Sequence, residues 1–200
     1  MKTFLKTLIA LMLATAFLLA GCEKLDWQTI TCDIQTYEGN VFRDGDTLSY
    51  GESRNIDGYR NISFKLPKEY YQTDDSGDYE IEKTWTDGST IIAIFGVKLV
   101  DAKEYFEYEE YAYNTNESNA KQLTRTKLTN GIVKSTIYPR VDVEGNPLTD
   151  DKPSVHGHLV DTTLGSCVIR FTVYEYCPLG SPVISEKTIE FIQTIADSFE

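Results

Sequence analysis

The sequence predicts an α+β domain in which two main helices cover a mostly antiparallel sheet. Three observations predict it. Several stretches alternate apolar and polar residues with the period of a half-buried strand, as in Ile62-Ser63-Phe64-Lys65-Leu66. Two others, one beginning at Asp101 and one near the last residue, repeat their apolar positions at spacings near 3.6. The later strands are separated by short turn signals, above all Asn130-Gly131, a two-residue hairpin signature.

Taken in order, residues 23 to about 60 are rich in Asp, Asn and Gly. They read as a tether and an irregular lead-in, with one strand at Gln28 to Tyr37 and a turn at Asp44-Gly45-Asp46. Ile62 to Leu66 is a half-buried strand ended by Pro67, and Tyr79, Ile81, Lys83 and Trp85 alternate in a second one. Ile91 to Val100 is apolar on both faces, as a central strand covered on both sides would be. The first helix follows, with Asp101 as N-cap and Glu104 three residues on. Ala102, Tyr105, Phe106, Ala112 and Tyr113 form its stripe, and Asn114 to Asn119 ends it. Gln122 to Thr129, Ile132 to Val143, Ser154 to Thr163 and Cys167 to Tyr176 read as four more strands. Ile189, Ile192, Ile195, Ala196 and Phe199 make the closing helix, its start marked by Pro182 and Ser185.

The layout from about Ile62 to Glu200 resembles the PsbP-like α/β/α sandwich, the group that also holds DcrB-like bacterial lipoproteins. Phe64-Lys65-Leu66-Pro67 matches its early strand end. Ile192 through Ile195, then Ala196 to Ser198-Phe199, match its terminal amphipathic helix and Ser-Phe. These are packing signatures, so the resemblance implies a fold and little about function.

The chain has 200 residues, 25% of them charged and 41% hydrophobic, the balance of one ordinary globular domain. Its net charge of -12 repels phosphate backbones, which argues against a nucleic-acid partner. Lys2 and Lys6 precede an apolar run from Leu8 to Ala20, too short for a membrane span and the right size for a secretory signal. Leu19-Ala20-Gly21-Cys22 resembles a bacterial lipobox. The resemblance implies that residues 1–21 are a signal peptide and that Cys22 becomes a lipidated N-terminus, anchored through its acyl chains. Glu23 after the cysteine implies the outer membrane, with periplasmic and cell-surface exposure both open. Residues 22–60 are then the lipidated cysteine, tether and lead-in, and 61–200 the folded domain. Loss of the two signal lysines leaves 17 basic and 31 acidic side chains, a charge of -14.

Three cysteines remain, Cys32, Cys167 and Cys177, so at most one disulfide can form. Cys167 and Cys177 stand at the two ends of one strand, roughly 30 Å apart at about 3.3 Å per residue, and cannot pair. Cys32 with either of them is possible, and three free thiols is the favoured reading. The two histidines, His156 and His158, share a strand face and with Asp161 or Asp150 suggest a partial metal site. No cysteine or third histidine lies near them in sequence, and zinc needs three or four ligands, so the favoured reading is a polar strand face and no metal.

Acidic loops at Asp74, Asp75, Asp78 and Glu80, and at Asp142, Glu144, Asp150 and Asp151, lack calcium-loop spacing. Gly51 to Asn55 lacks the second glycine of a nucleophile elbow, and Ser118 to Lys121 lacks the motifs that accompany S-x-x-K enzymes. No phosphate-binding glycine loop or dinucleotide fingerprint is present, so no cofactor is expected. Asp46-Thr47-Leu48 and Asp161-Thr162-Thr163 resemble an O-glycosylation sequon at Thr47 and Thr162. The chemistry-bearing surplus is aromatic. Thirteen tyrosines crowd the chain, and the first helix cannot bury Tyr105, Tyr108, Tyr111 and Tyr113 on one face. The expected function is a lipid-anchored, non-catalytic envelope protein with a protein partner. The alternatives are a surface glycan-binding lipoprotein that uses Trp85, Tyr108 or Tyr111, and a hydrolase with an unrecognised carboxylate site.

Overall fold

A computed structural model describes residues 25–73, 83–115, 123–138 and 154–200. The strands are β1 (Trp27–Asp44), β2 (Thr47–Pro67), β3 (Tyr71–Gln72), β4 (Lys83–Thr86) and β5 (Thr90–Leu99), then β6 (Thr124–Lys127), β7 (Gly131–Tyr138), β8 (Ser154–Leu164) and β9 (Cys167–Cys177). Helix α1 (Ala102–Thr115) follows β5, and α2 (Glu186–Ala196) closes the fold. The sheet runs β2-β1-β5-β9-β8-β7-β6, with β4 also on β5 and β3 on β4. Pairing is antiparallel except between β1 and β5, which run parallel over Thr36 to Glu38. The α+β class holds, as does the central position of the doubly apolar strand.

Strand parity sorts the two faces. Ile92, Ile94, Val97, Val160, Ile169, Phe171 and Val173 point to one side and bury against Ile192, Ile195 and Ala196 of α2. The opposite parity carries Lys134, Asp161, Arg170 and Lys98 towards α1. One face is therefore the oily core, and the other is ionic and aromatic. Asp101 caps α1 as expected, accepting from the backbone N–H of Lys103 and of Glu104. Ser185 does the same for α2 through Thr188 N–H.

Residues 27 to 60 correct the sequence reading. They are no irregular lead-in but most of the longest hairpin in the molecule, in register from Trp27↔Pro67 to Asp44↔Thr47. The turn at Gly45 is where the sequence placed it, with φ +58°. The register irregularity between Gln35 and Tyr37 marks where burial in β1 changes sides: Cys32 and Ile34 face the α2 core, while Val41, of the opposite parity, packs against the α1 cluster. That change of covered face breaks the alternation that announces a strand.

Asn130-Gly131 is also corrected: β6 and β7 do form a hairpin, but Gly131 is itself in β7, paired with Thr162. A Cβ there would sit 2.3 Å from the Asp161 carbonyl oxygen, so the glycine serves close strand approach and not a primed turn. The chain end explains its Ser-Phe. Ser63 and Glu200 exchange both backbone hydrogen bonds, Ser198 Oγ accepts from Lys65 N–H, and Phe199 packs on Phe64 and Phe171. These contacts cover the outer edge of β2 at Ser63 and Lys65.

Candidate functional site

On the α1 face, Asp161 is fully buried and grips Arg170 with two bonds, Nε to Oδ1 at 2.7 Å and a terminal nitrogen to Oδ2 at 2.9 Å. Tyr105 from α1 joins them, its hydroxyl 3.1 Å from Asp161 Oδ2 and 2.8 Å from Glu109 Oε1. Lys134 bridges Glu109 and Asp161. Lys98, also buried, pairs with Glu52 at 2.6 Å and lies over the rings of Tyr50 and Tyr105. Burial alone would raise the Asp161 pKa, but the Arg170 guanidinium outweighs it and holds the carboxyl at about 2. Burial and the nearby Arg170 charge push Lys98 below the ordinary lysine range. Burial, reinforced by the Asp161 charge, raises the Tyr105 phenol far above its ordinary value, so it stays protonated. Three cations face three carboxylates here, and the cluster is neutral.

Beside this cluster a cavity of about 400 Å³ opens between α1 and the sheet. Phe95, Tyr108, Tyr113, Tyr138 and Tyr174 supply its aromatic walls, and Glu109, Arg125 and Lys134 its charged ones. Arg125 stacks on Tyr113 and binds Glu110 at 2.7 Å. Two lining side chains keep a buried polar atom that finds no partner among the described residues, Arg125 Nε and Thr172 Oγ1. Gly157 shapes the floor. A Cβ there would meet Tyr138 at 2.4 Å and Tyr174 at 3.2 Å, so both rings lie on bare backbone, 6.2 Å apart. The arrangement offers stacking surface ringed by fixed donors and acceptors, with no nucleophile-base pair among the groups described above.

Of the predicted aromatic residues, Tyr108 lines this cavity, and Tyr111 sits half-buried on α1 outside its lining. Trp85 is corrected: it is 2% exposed, edge-on to Phe64 in the α2 core, and presents nothing to a ligand. Sequence reasoning missed Tyr138, Tyr174, Arg125 and Lys134, which converge only through strand pairing. The glycine between the two histidines was the signal for the platform.

His156 and His158 share a face, as expected, but both are buried on the α2 side, whereas Asp161 has the opposite parity and serves Arg170. The carboxylate that meets them is Glu175, directly across from His156 and 3.1 Å from His158 Nε2. The bond from His158 lowers the Glu175 pKa. Burial and the Glu175 charge push the Cys177 thiol up to about 11. Cys32, Cys167 and Cys177 are all free thiols. Thr162 is buried and donates to the Asn130 carbonyl, closed to any glycosylating enzyme in the folded state, while Thr47 is exposed at the hairpin tip. Ser53 lies within β2, away from any strand-to-helix turn. Cys22, both acidic loops, Asp150 and Ser118 to Lys121 lie outside the described residues. Among the described residues no helix is long and apolar enough to cross a membrane. Comparison with family models, with curated proteins and with solved structures returns no match.

Proposed function

We propose that this chain is a PsbP-like, lipid-anchored outer-membrane protein with a non-catalytic binding role, and that its ligand is an uncharged glycan held in the cavity between α1 and the sheet. The observation that carries the reading is the tyrosine-walled cavity with its neutral, pre-paired rim. Sugar rings stack their C–H faces on aromatic rings and spread hydroxyls to donors and acceptors at the edge. A rim whose charges are already matched suits a neutral polyol better than an ion, and the acidic body repels polyanions. The anchor rests on Leu19-Ala20-Gly21-Cys22.

A glycan array with the purified protein tests the ligand. Binding that falls roughly tenfold in Tyr138→Ala and in Tyr108→Ala supports it, since one lost aromatic contact is worth about 1 kcal/mol or more. Binding that is absent, or indifferent to both changes, contradicts it. Metabolic labelling with palmitate tests the anchor: Cys22→Ala abolishes the label, and a label that persists contradicts lipidation there. The second reading, a protein partner, is favoured by β2, an edge strand with Tyr59 61% exposed. Crosslinking from position 59 to an envelope protein, with no glycan bound, would establish it in place of the first.

A further inference from the structure

On the α2 face, and independently of the glycan reading, one group of three metal-ligating side chains converges among the described residues. We infer that His156, Glu175 and Cys177 form a zinc site with the fourth position left to water. Their ligand atoms all lie within 4.8 Å of one another. Antiparallel pairing builds the group: His156 is opposite Glu175, and Cys177 is opposite Ser154, the diagonal neighbour of His156 on the same face. Ligands on a tetrahedral zinc stand about 3.4 to 3.8 Å apart, so a closure of roughly an ångström around the ion seats it.

The histidine is set up in the ligating tautomer. Its Nδ1 faces the Val183 carbonyl at 3.2 Å, which can only accept, so Nδ1 carries the proton and Nε2 the lone pair. That lone pair now accepts from the Ser154 hydroxyl at 2.8 Å. When a metal takes it, the hydroxyl turns its proton to the Cys177 carbonyl, 3.4 Å away. Glu175 is oriented from behind by His158 Nε2 and by Thr188 Oγ1, each at 3.1 Å, in the manner of outer-shell partners that aim a carboxylate. His156 is buried while Glu175 and Cys177 are only partly so, which leaves one open side for entry and for the water ligand. A thiolate in the set selects zinc over magnesium or calcium, and its proton leaves to solvent on binding.

The test is a cobalt titration of the purified full-length protein, kept reduced by a phosphine that does not compete for metal. The expected result is a near-ultraviolet sulfur-to-cobalt charge-transfer band that saturates at one equivalent and is displaced by zinc. The band disappears in Cys177→Ser and remains in Cys167→Ser and Cys32→Ser. Glu175→Gln keeps an oxygen for His158 and Thr188 and retains the fold by circular dichroism, while zinc affinity falls roughly tenfold or more. A titration without a saturable band, a band that survives Cys177→Ser, or unchanged affinity in a folded Glu175→Gln protein would overturn the site.

Discussion

Asp161 and Lys98 are both buried charges a few residues from one another in space, yet they carry opposite costs. Asp161 is bound twice by Arg170 and once each by Tyr105 and Lys134, so its charge is fully answered. Asp161→Asn leaves the partly buried Arg170 without its carboxylate, and urea unfolding is expected to show a loss of about 3 kcal/mol. Lys98 holds its charge against burial and against Arg170. Lys98→Met keeps the stem over Tyr50 and Tyr105 and frees a partly exposed Glu52 to water. The same measurement is expected to change by no more than about 1 kcal/mol. A loss as large as that of Asp161→Asn would show that the Lys98 pair is stabilising in its own right. Neither role was legible in the sequence, because each depends on which residue stands across the strand. Asp161 reads there as a carboxylate near the two histidines, not as the partner of Arg170. Tyr105, by contrast, was legible as buried from its place on the helical stripe.

The elements divide in the same way. Both helices could be read from spacing and caps, β5 from its apolar run and β9 from its alternation, because each lies where burial imposes a pattern. The β1–β2 hairpin could be read only in part, from its strand at Gln28 to Tyr37, its partner at Ile62 to Leu66 and its turn at Gly45. Past the irregularity its partly buried residues, Val41 and Tyr50 among them, turn from the α2 core to the α1 cluster, and the opposite face is left open to Asp, Asn and Gly, so a single alternation does not run through it. Helix α2 seals the oily face with Ile192 and Ile195, both fully buried. Ile192→Ala should therefore cost about 2 to 5 kcal/mol in urea unfolding, whereas Ser185→Ala, which removes the cap, should cost about 1 kcal/mol. Equal losses would mean that α2 is held by its end and not by its face. His156 and Gly157 marked the place, but Glu175, Cys177, Tyr138 and Tyr174, which complete the two clusters, did not, for one reason. β8 and β9 lie side by side through an eleven-residue register, and the chemistry of each face is the sum of two segments that look unremarkable apart.

At the scale of the molecule, the sheet is a partition with a dry core on one side and a wet, aromatic cleft on the other. Acidity sets how the whole responds to pH. Asp161, with its pKa near 2 in the folded state against about 3.9 unfolded, contributes on the order of 2 kcal/mol above pH 4, and that contribution is lost as pH falls through 2. Glu52 and Glu175 are also lowered and act in the same direction. Acidification from pH 7 to about 5 first relieves self-repulsion in a chain of net charge -12. Urea midpoints are thus expected to hold or rise to pH 5 and to drop below pH 4. A midpoint that climbs steadily to pH 3 would contradict the buried network. If the α1 cleft is where this protein recognises its ligand, its tyrosines report the bound state. The most direct measurement is an NMR titration of ring-labelled tyrosine in the purified protein with the glycan that binds best on the array. Shifts are expected at Tyr108, Tyr113, Tyr138 and Tyr174 and none at Tyr70, which lies across the sheet in the α2 core. Shifts confined to Tyr70, or none in the cleft at saturating ligand, would contradict recognition there.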